Sequence, residues 1–272
     1  MKSLGLTPSF LQSLQQHRTL WWRLTQREVA GRYRGSVLGW SWSLLNPLMM
    51  LGVYTFVFST VFKARWPDLQ QAGPLGFAIN LFAGLIVFNL FSECIGKAPT
   101  LVLSQPSYVT KVVFPLDVLS AVAVGAAGFH ACTSLVVLAA FELIATSKIP
   151  ATVLWLPLVW LPLGLGCLAL CWLLSGLGVY LRDLPQLVSV ALSVLMFLSA
   201  VFYPISALPE RWQPLLLANP LVLVIEQTRR VLVQGEHPGA AYLLLGIPAT
   251  LLGCEISFRL FKKMRRGFAD VI

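Results

Sequence analysis

The sequence predicts an all-α membrane protein with six transmembrane helices, an N-terminal amphipathic helix and re-entrant helices between the fifth and sixth spans. Charged residues make up 11% of the 272 residues, against roughly 25% in ordinary soluble domains, and 57% are hydrophobic. Six long windows also lack Asp, Glu, Lys and Arg. Such windows suit the ~20 apolar residues that a spanning helix needs.

Six membrane spans are predicted from these windows, within a single transmembrane domain that covers residues 1–272. The spans are 41–62, 76–94, 115–142, 151–181, 185–204 and 239–261. Eleven of the 20 basic residues lie before the first span or in the chain end that starts at Arg259, within the last turn of the sixth span. Because basic residues accumulate on the cytoplasmic side of a membrane, both termini are expected to be cytoplasmic.

Residues 14–34 are predicted to form an amphipathic helix at the membrane surface. Arg23 and Arg27 share one face of this helix, whereas Trp22 and Tyr33 belong to a second, apolar stripe. Basic and aromatic residues together suit a membrane interface, where they contact lipids. They suit a docking surface for a cytoplasmic partner equally well, so the sequence leaves both interpretations open.

Two further segments are too polar or too broken to span a membrane. A short cytoplasmic helix is predicted over residues 98–108. Segment 205–219 lies within YPISALPERWQPLLLANP, whose four prolines predict short, broken helices. Beyond it, Glu226 and Arg230 have the i to i+4 spacing of a helical ion pair.

Patterns typical of enzymes and metal sites are missing from the sequence. It contains no H-E-x-x-H, no G-x-S-x-G and no phosphate-binding G-x-x-x-x-G-K-S/T. No catalytic residue, metal or cofactor is therefore predicted, and the scattering of Glu93, Asp117 and Asp183 disfavours a membrane-embedded enzyme. His130 is alone in an apolar span and is expected to pack or to form a hydrogen bond. The spans also lack the repeated carboxylates of an ion-coupled carrier, which disfavours a secondary transporter.

Aromatic side chains recur at helical spacing within the predicted spans. Such stripes are typical of packing or lipid contact. They would also suit a pore for a long neutral chain, because the apolar faces of sugars stack on aromatic rings. The candidate channel residues are Tyr54, Phe58, Phe62, Phe88, Phe91, Phe197, Phe202 and Tyr203.

Five stretches, in order along the chain, carry a resemblance to a known family. They are REVAGRYRGSVLGWSWSLLNP (27–47), YTFVF (54–58), VYLRDLPQ (179–186), VFYPISALP (201–209) and NPLVLVIEQTRR (219–230). Together they resemble the membrane (permease) subunits of ABC transporters that export polysaccharides. The likeness is strongest to the permeases for O-antigen, a part of lipopolysaccharide, and for teichoic acid.

The resemblance implies an ATP-driven exporter in the bacterial inner membrane. A homodimer of six-span subunits would be paired with two ATP-binding cassette subunits, which bind ATP and magnesium. The substrate would be an undecaprenyl-diphosphate-linked O-antigen polysaccharide, moved to the periplasm through a channel between the two permeases. An exporter of capsule, teichoic acid or a small lipid-like substrate is the alternative, and no nucleic acid partner is expected.

The resemblance also assigns roles to particular segments by their position. Residues 14–34 would be the interface helix, 98–108 the cytoplasmic gate or coupling helix, and 205–219 the periplasmic gate. Arg32 and Arg34 would meet the lipid headgroup at the cytoplasmic mouth. The residues expected to couple the chain to the ATPase are Arg23, Arg27, Glu28, Pro106, Ser107 and Tyr108.

Overall fold

The computed structural model describes residues 9–57, 73–110, 114–146 and 149–271, and within these ranges the chain is helical and contains no strand. Short 3-10 turns join many of the helices, and a π-helical turn, Arg230–Gln234, follows α10. The α-helices are α1 (Phe10–Gln16), α2 (Arg18–Tyr33), α3 (Trp42–Thr55), α4 (Gly73–Lys97), α5 (Pro106–Thr110), α6 (Asp117–Thr146), α7 (Leu156–Tyr180), α8 (Leu184–Leu198), α9 (Gln213–Leu217), α10 (Pro220–Arg229), α11 (Ala240–Met264) and α12 (Phe268–Val271).

Four helical segments in the described ranges are long and apolar enough to cross a membrane. They are Leu75–Thr100, Asp117–Thr146, Ala151–Tyr180 and Ala240–Val271, built around α4, α6, α7 and α11. These segments match the second, third, fourth and sixth predicted spans. The all-helical membrane class is thereby confirmed, while the total of six spans stays a prediction.

The other two predicted spans coincide with shorter helices. α3 has 14 residues, and much of the remainder of the first predicted span lies outside the described residues. α8 has 15 residues, which is about 22 Å of helix against a hydrocarbon core of ~30 Å. It ends where Ala200 takes a left-handed backbone conformation with φ of 51°, which stops a right-handed helix.

The N-terminal segment forms two helices rather than the single one predicted over 14–34. α1 begins at a capping box, in which Ser9 accepts from the backbone N–H of Gln12 and Gln12 accepts from that of Ser9. The helix stops at His17, and α2 starts at the next residue. The prediction therefore misses a break one residue before Arg18.

One face of α2 packs against α6. Thr25, Val29 and Tyr33, spaced four residues apart, are buried on this face. The indole N–H of Trp21 donates to the backbone oxygen of Ala121 at 2.8 Å, which anchors the helix near its start. Of the apolar stripe predicted through Trp22, Val29 and Tyr33, the last two pack as expected, whereas Trp22 is exposed.

α4 is the most enclosed of the four long helices, because 83% of its apolar window is buried within the protein. It packs against α3, α6, α7, α8 and α10. Its C-terminal turn nevertheless carries Glu93 and Lys97 towards α2. A central, immobilised helix therefore holds charged side chains at the edge of the core.

The segment predicted as one helix over 98–108 forms two short pieces. α4 runs into a 3-10 turn, Ala98–Thr100, and α5 follows only at Pro106. Proline cannot donate a backbone hydrogen bond, so Pro99 and Pro106 each favour the first turn of a helix. The turn at Pro99 lies directly against Gly178 of α7.

The proline-rich segment between α8 and α10 is broken as predicted, although its re-entry into a membrane stays a prediction. It forms the 3-10 turns Ile205–Ala207 and Glu210–Trp212 and then α9. The ion pair expected between Glu226 and Arg230 is not the one that forms. Glu226 binds Arg229 at 2.8 Å, since Arg229 points into the core, while Arg230 binds Glu236.

Candidate functional site

A cavity of about 980 Å³ opens between α2, α3, α4 and α6. Its wall contains aromatic rings, other apolar groups and neutral polar groups, and charged side chains lie together at one end. The apolar part includes Trp42, Met50, Tyr54 and Phe82. The neutral polar and charged groups that line the cavity are Ser43, Asn46, Asn89, Ser92, Thr133, Ser134, Glu28, Arg32, Glu93, Lys97 and His130.

The charged end of the cavity is organised around the carboxylate of Glu93. Arg32 of α2 approaches one carboxylate oxygen at 2.7 Å, and Lys97 approaches the same oxygen at 3.3 Å. Nδ1 of His130, on α6, lies 3.0 Å from the other oxygen. Lys97 also reaches Glu28 of α2 at 3.4 Å. We refer to these five residues as the Glu93 cluster, which links α2, α4 and α6.

Nδ1 of His130 lies between two groups of this cluster, 3.0 Å from a carboxylate oxygen of Glu93 and 2.9 Å from Nη1 of Arg32. An ionised carboxylate only accepts hydrogen bonds, so His130 donates to Glu93 in the form that carries a proton on Nδ1. Nε2 of the same ring is buried and finds no hydrogen-bond partner among the described residues. The cluster therefore contains a polar atom that the described protein groups leave unsatisfied.

Tyr33 forms part of the cavity wall beside the cluster. Its ring meets His130 edge to face at a centroid distance of 6.1 Å and lies near Trp40. Burial raises the pKa of the Tyr33 hydroxyl above its usual range. At neutral pH the part of the wall that Tyr33 forms is therefore uncharged and aromatic.

The Glu93 cluster is not evident from the sequence. His130 is expected from the sequence to pack or to form a hydrogen bond, and it does so, but its partner lies 37 residues away on another helix. Glu93 is one of several carboxylates that are scattered along the sequence. The only local signal was the i to i+4 spacing of Glu93 and Lys97.

The candidate channel residues occupy different environments. Tyr54 lines the cavity. Phe88 and Phe91 are core residues of α4, with 4% and 8% exposed, whereas Phe197 on α8 is 64% exposed. Phe202 packs against Phe197, and the hydroxyl of Tyr203 donates to the backbone oxygen of Phe197 at 2.7 Å. Phe58 and Phe62 lie outside the described residues.

The residues predicted to couple to an ATPase come from two distant stretches that meet in space. Nη2 of Arg27 lies 3.5 Å from the hydroxyl of Tyr108, which joins α2 to α5. Tyr108 in turn stacks on Phe114 at 4.3 Å. The other members, Arg23, Glu28, Pro106 and Ser107, are exposed on these two helices.

The two arginines expected to meet a lipid headgroup are separated by the structure. Arg32 lines the cavity and binds Glu93. Arg34 follows α2 as its C-terminal cap residue and is exposed, away from the residues that line the cavity. Arg32 is therefore the one of the two that belongs to the charged end of the cavity.

Comparison with known proteins identifies the architecture that holds this cavity. A profile of ABC-2 type transporters matches residues 19–233. The chain belongs to the ABC-2 type transporter family. The matched residues run from α2 into the π-helical turn and include the cavity, the Glu93 cluster, α5 and Arg229, whereas α1, α11 and α12 lie outside them.

Individual relatives match most of the length of this ABC-2 transporter chain. The O-antigen export system permease protein RfbA of Myxococcus xanthus is 30% identical over 267 residues, covering 96% of this chain and 98% of the relative. RfbA of Klebsiella pneumoniae is 24% identical, covering 92% and 93%. The polysialic acid transport protein KpsM of Escherichia coli is 24% identical, covering 77% and 79%.

Family membership and the apolar helices together make the chain a multi-pass membrane protein. The relatives are transport permeases by name, in agreement with the missing catalytic patterns in this sequence.

Proposed function

We propose that this chain is the membrane subunit of an ATP-driven exporter that moves an undecaprenyl-diphosphate-linked O-antigen polysaccharide from the cytoplasm to the periplasm. The observation that carries the proposal is the match, over 96% of this chain, to an O-antigen export permease. Capsule polysaccharide is the second candidate substrate. It is favoured by the polysialic acid transport relative, which matches over 77% of the chain.

The energy for export comes from partner subunits in this proposal. The sequence contains no phosphate-binding loop, so two ATP-binding cassette subunits bind ATP and magnesium. They dock on the surface formed by α2 and α5. The contact between Arg27 and Tyr108 supports this assignment, because it makes one continuous surface from the two predicted coupling segments.

The polymer crosses the membrane between two copies of the chain. α3 and α8 each leave one long side uncovered in the single protomer, with Met50, Val53, Val190 and Phe197 among the exposed residues. Between Leu184 and Leu198 the sequence has no ionisable residue. Such a wall offers a sliding sugar chain many weak contacts and no strong charge to hold it.

Movement at the ATPase surface has a direct structural path to α4. α5 and the 3-10 turn at Pro99 follow α4 along the chain, and α2 is tied to α4 by the pairs of Arg32 with Glu93 and Glu28 with Lys97. With both termini cytoplasmic, this end of the chain faces the ATPases. Closure of the ATPases then shifts α2 and α5, and the shift reaches the wall of the polymer path.

Removing one ring of the cavity wall and one exposed ring of α8 is expected to slow export without stopping ATP hydrolysis. In the double variant Tyr54→Ala and Phe197→Ala, the polymer loses stacking contacts, and we expect surface polysaccharide to fall about tenfold. The measurement is surface polysaccharide in cells, alongside ATP hydrolysis by the purified complex.

Trp155→Ala is the control for this double variant. Trp155 is an exposed aromatic residue in the 3-10 turn that precedes α7 and is not one of the candidate channel residues. It should leave export unchanged. Equal export by the double variant and the wild type would contradict the assignment of these rings to the polymer path.

A further inference from the structure

The Glu93 cluster has the composition of an anion-binding site that is filled by a carboxylate of the protein. Three donor groups from three helices converge on the two oxygens of Glu93, at 2.7, 3.0 and 3.3 Å. Arginine, lysine and histidine are also the side chains that bind phosphate oxygens. The same donors can therefore serve a phosphate group that replaces the carboxylate.

The exposure of the cluster permits such an exchange. The side chains of Arg32 and Lys97 are 49% and 43% exposed, whereas those of Glu93 and His130 are mostly buried. Because water reaches Arg32 and Lys97, an incoming anion can approach these two cations while Glu93 keeps its contact with His130. The adjoining cavity of about 980 Å³ gives an incoming anion room beside them.

Two features separate this cluster from an ordinary surface ion pair. Glu93 contacts three side chains, so it can release Arg32 and Lys97 while it remains within 3.0 Å of Nδ1 of His130. The buried Nε2 of His130 also lacks a hydrogen-bond partner among the described residues, although most buried polar atoms in proteins have one.

We infer that the carboxylate of Glu93 occupies the position in which a phosphate group of the substrate binds. A diphosphate that enters the cavity displaces this carboxylate from Arg32 and Lys97. The inference rests on the proposed diphosphate-linked substrate. Exchange breaks the link between Arg32 of α2 and Glu93 of α4. Arrival of the headgroup thus loosens α2, which carries part of the ATPase surface, from the central helix.

The inference predicts opposite effects for the two partners of one ion pair. Glu93→Gln removes the competing negative charge and should tighten diphosphate binding about fivefold, whereas Arg32→Gln removes a ligand and should weaken it about as much. A purely structural ion pair would respond in the same direction to loss of either partner. Arg18→Gln, the same charge change at an exposed position of α2, should leave binding unchanged.

The experiment measures binding by calorimetry to the full-length chain in phosphatidylcholine nanodiscs. One arm titrates inorganic diphosphate, and the other compares nanodiscs that contain undecaprenyl diphosphate. Binding of both probes shows that the diphosphate alone is recognised. If only the lipid probe binds, and the variants keep the predicted order of affinity, the site recognises a lipid headgroup and not free diphosphate.

The inference is overturned if Glu93→Gln weakens binding, if it matches the wild type, or if neither probe binds. Should Glu93→Gln fail to fold, Glu28→Gln provides a second test, because Glu28 is the exposed carboxylate partner of Lys97. It should also tighten binding, by a smaller factor. The assay does not depend on transport, so normal export with the wrong order of affinities would overturn this inference and leave the proposed function standing.

Discussion

Replacing Gly178 with alanine is expected to abolish export, because the added methyl group would collide with the backbone of the turn at Pro99. A Cβ atom at Gly178 would lie 2.9 Å from the Cα of Pro99, and closer still to its carbonyl oxygen. Backbone atoms cannot rotate away as a side chain can. Overpacking of this kind costs ~1–3 kcal/mol, or displaces the segment that leads into α5.

Gly164→Ala is the matched control for this substitution. Gly164 lies on the same helix, α7, and an added Cβ there meets no neighbouring atom within 4 Å. Alanine is a better helix former than glycine by about 1 kcal/mol, so this variant should be neutral or slightly more stable. The measurements are the melting temperature of the purified protein and surface polysaccharide. Similar results for the two variants would contradict the close approach of α7 to Pro99.

Replacing Arg229 with methionine is expected to be the most destabilising of the charge changes. The guanidinium group is 1% exposed and donates to the backbone oxygens of Asn80, Ala200 and Val201 at 3.1, 3.0 and 2.8 Å. It also binds Glu226. Without it, the turn that ends α8 loses its donors and Glu226 loses its partner, so we expect a loss of about 3–5 kcal/mol.

The adjacent arginine supplies a matched control for Arg229. Arg230→Met removes the same group from a position that is 41% exposed and paired with Glu236, and it should change stability by less than about 1 kcal/mol. Thermal unfolding of the purified variants measures both effects. A melting temperature equally low for both variants, or unchanged for Arg229→Met, would contradict the proposed clamp at the end of α8.

Helix periodicity and uncharged windows were sufficient to predict the helical membrane class and the four long spans. They did not predict where helices break. The boundary between α1 and α2 at His17 and the end of α8 near Ala200 depend on capping and on a guanidinium group 29 residues further along the chain. Local spacing contains no information about such a partner.

Ion pairs also show that local spacing does not reveal which side chains become partners. The spacing of Glu226 and Arg230 is favourable, yet Glu226 binds Arg229, because buried carbonyl oxygens draw Arg229 inward. Likewise, Glu93 and His130 looked isolated in the sequence and are partners in the structure. Aromatic periodicity assigned Phe88, Phe91 and Phe197 alike to the channel, whereas packing buries the first two and exposes the third.

The central claim is that this chain carries a lipid-linked polysaccharide across the inner membrane, and the sidedness of that polymer in cells tests it most directly. In cells from which the chain is deleted, we expect surface polysaccharide to disappear and the undecaprenyl-diphosphate-linked polymer to accumulate on the cytoplasmic side. Labelling of intact and lysed spheroplasts with a polymer-specific lectin distinguishes the two sides. The wild-type chain should restore export, and the Gly178→Ala variant should not. Unchanged surface polysaccharide, or polymer accumulating on the periplasmic side, would contradict the account.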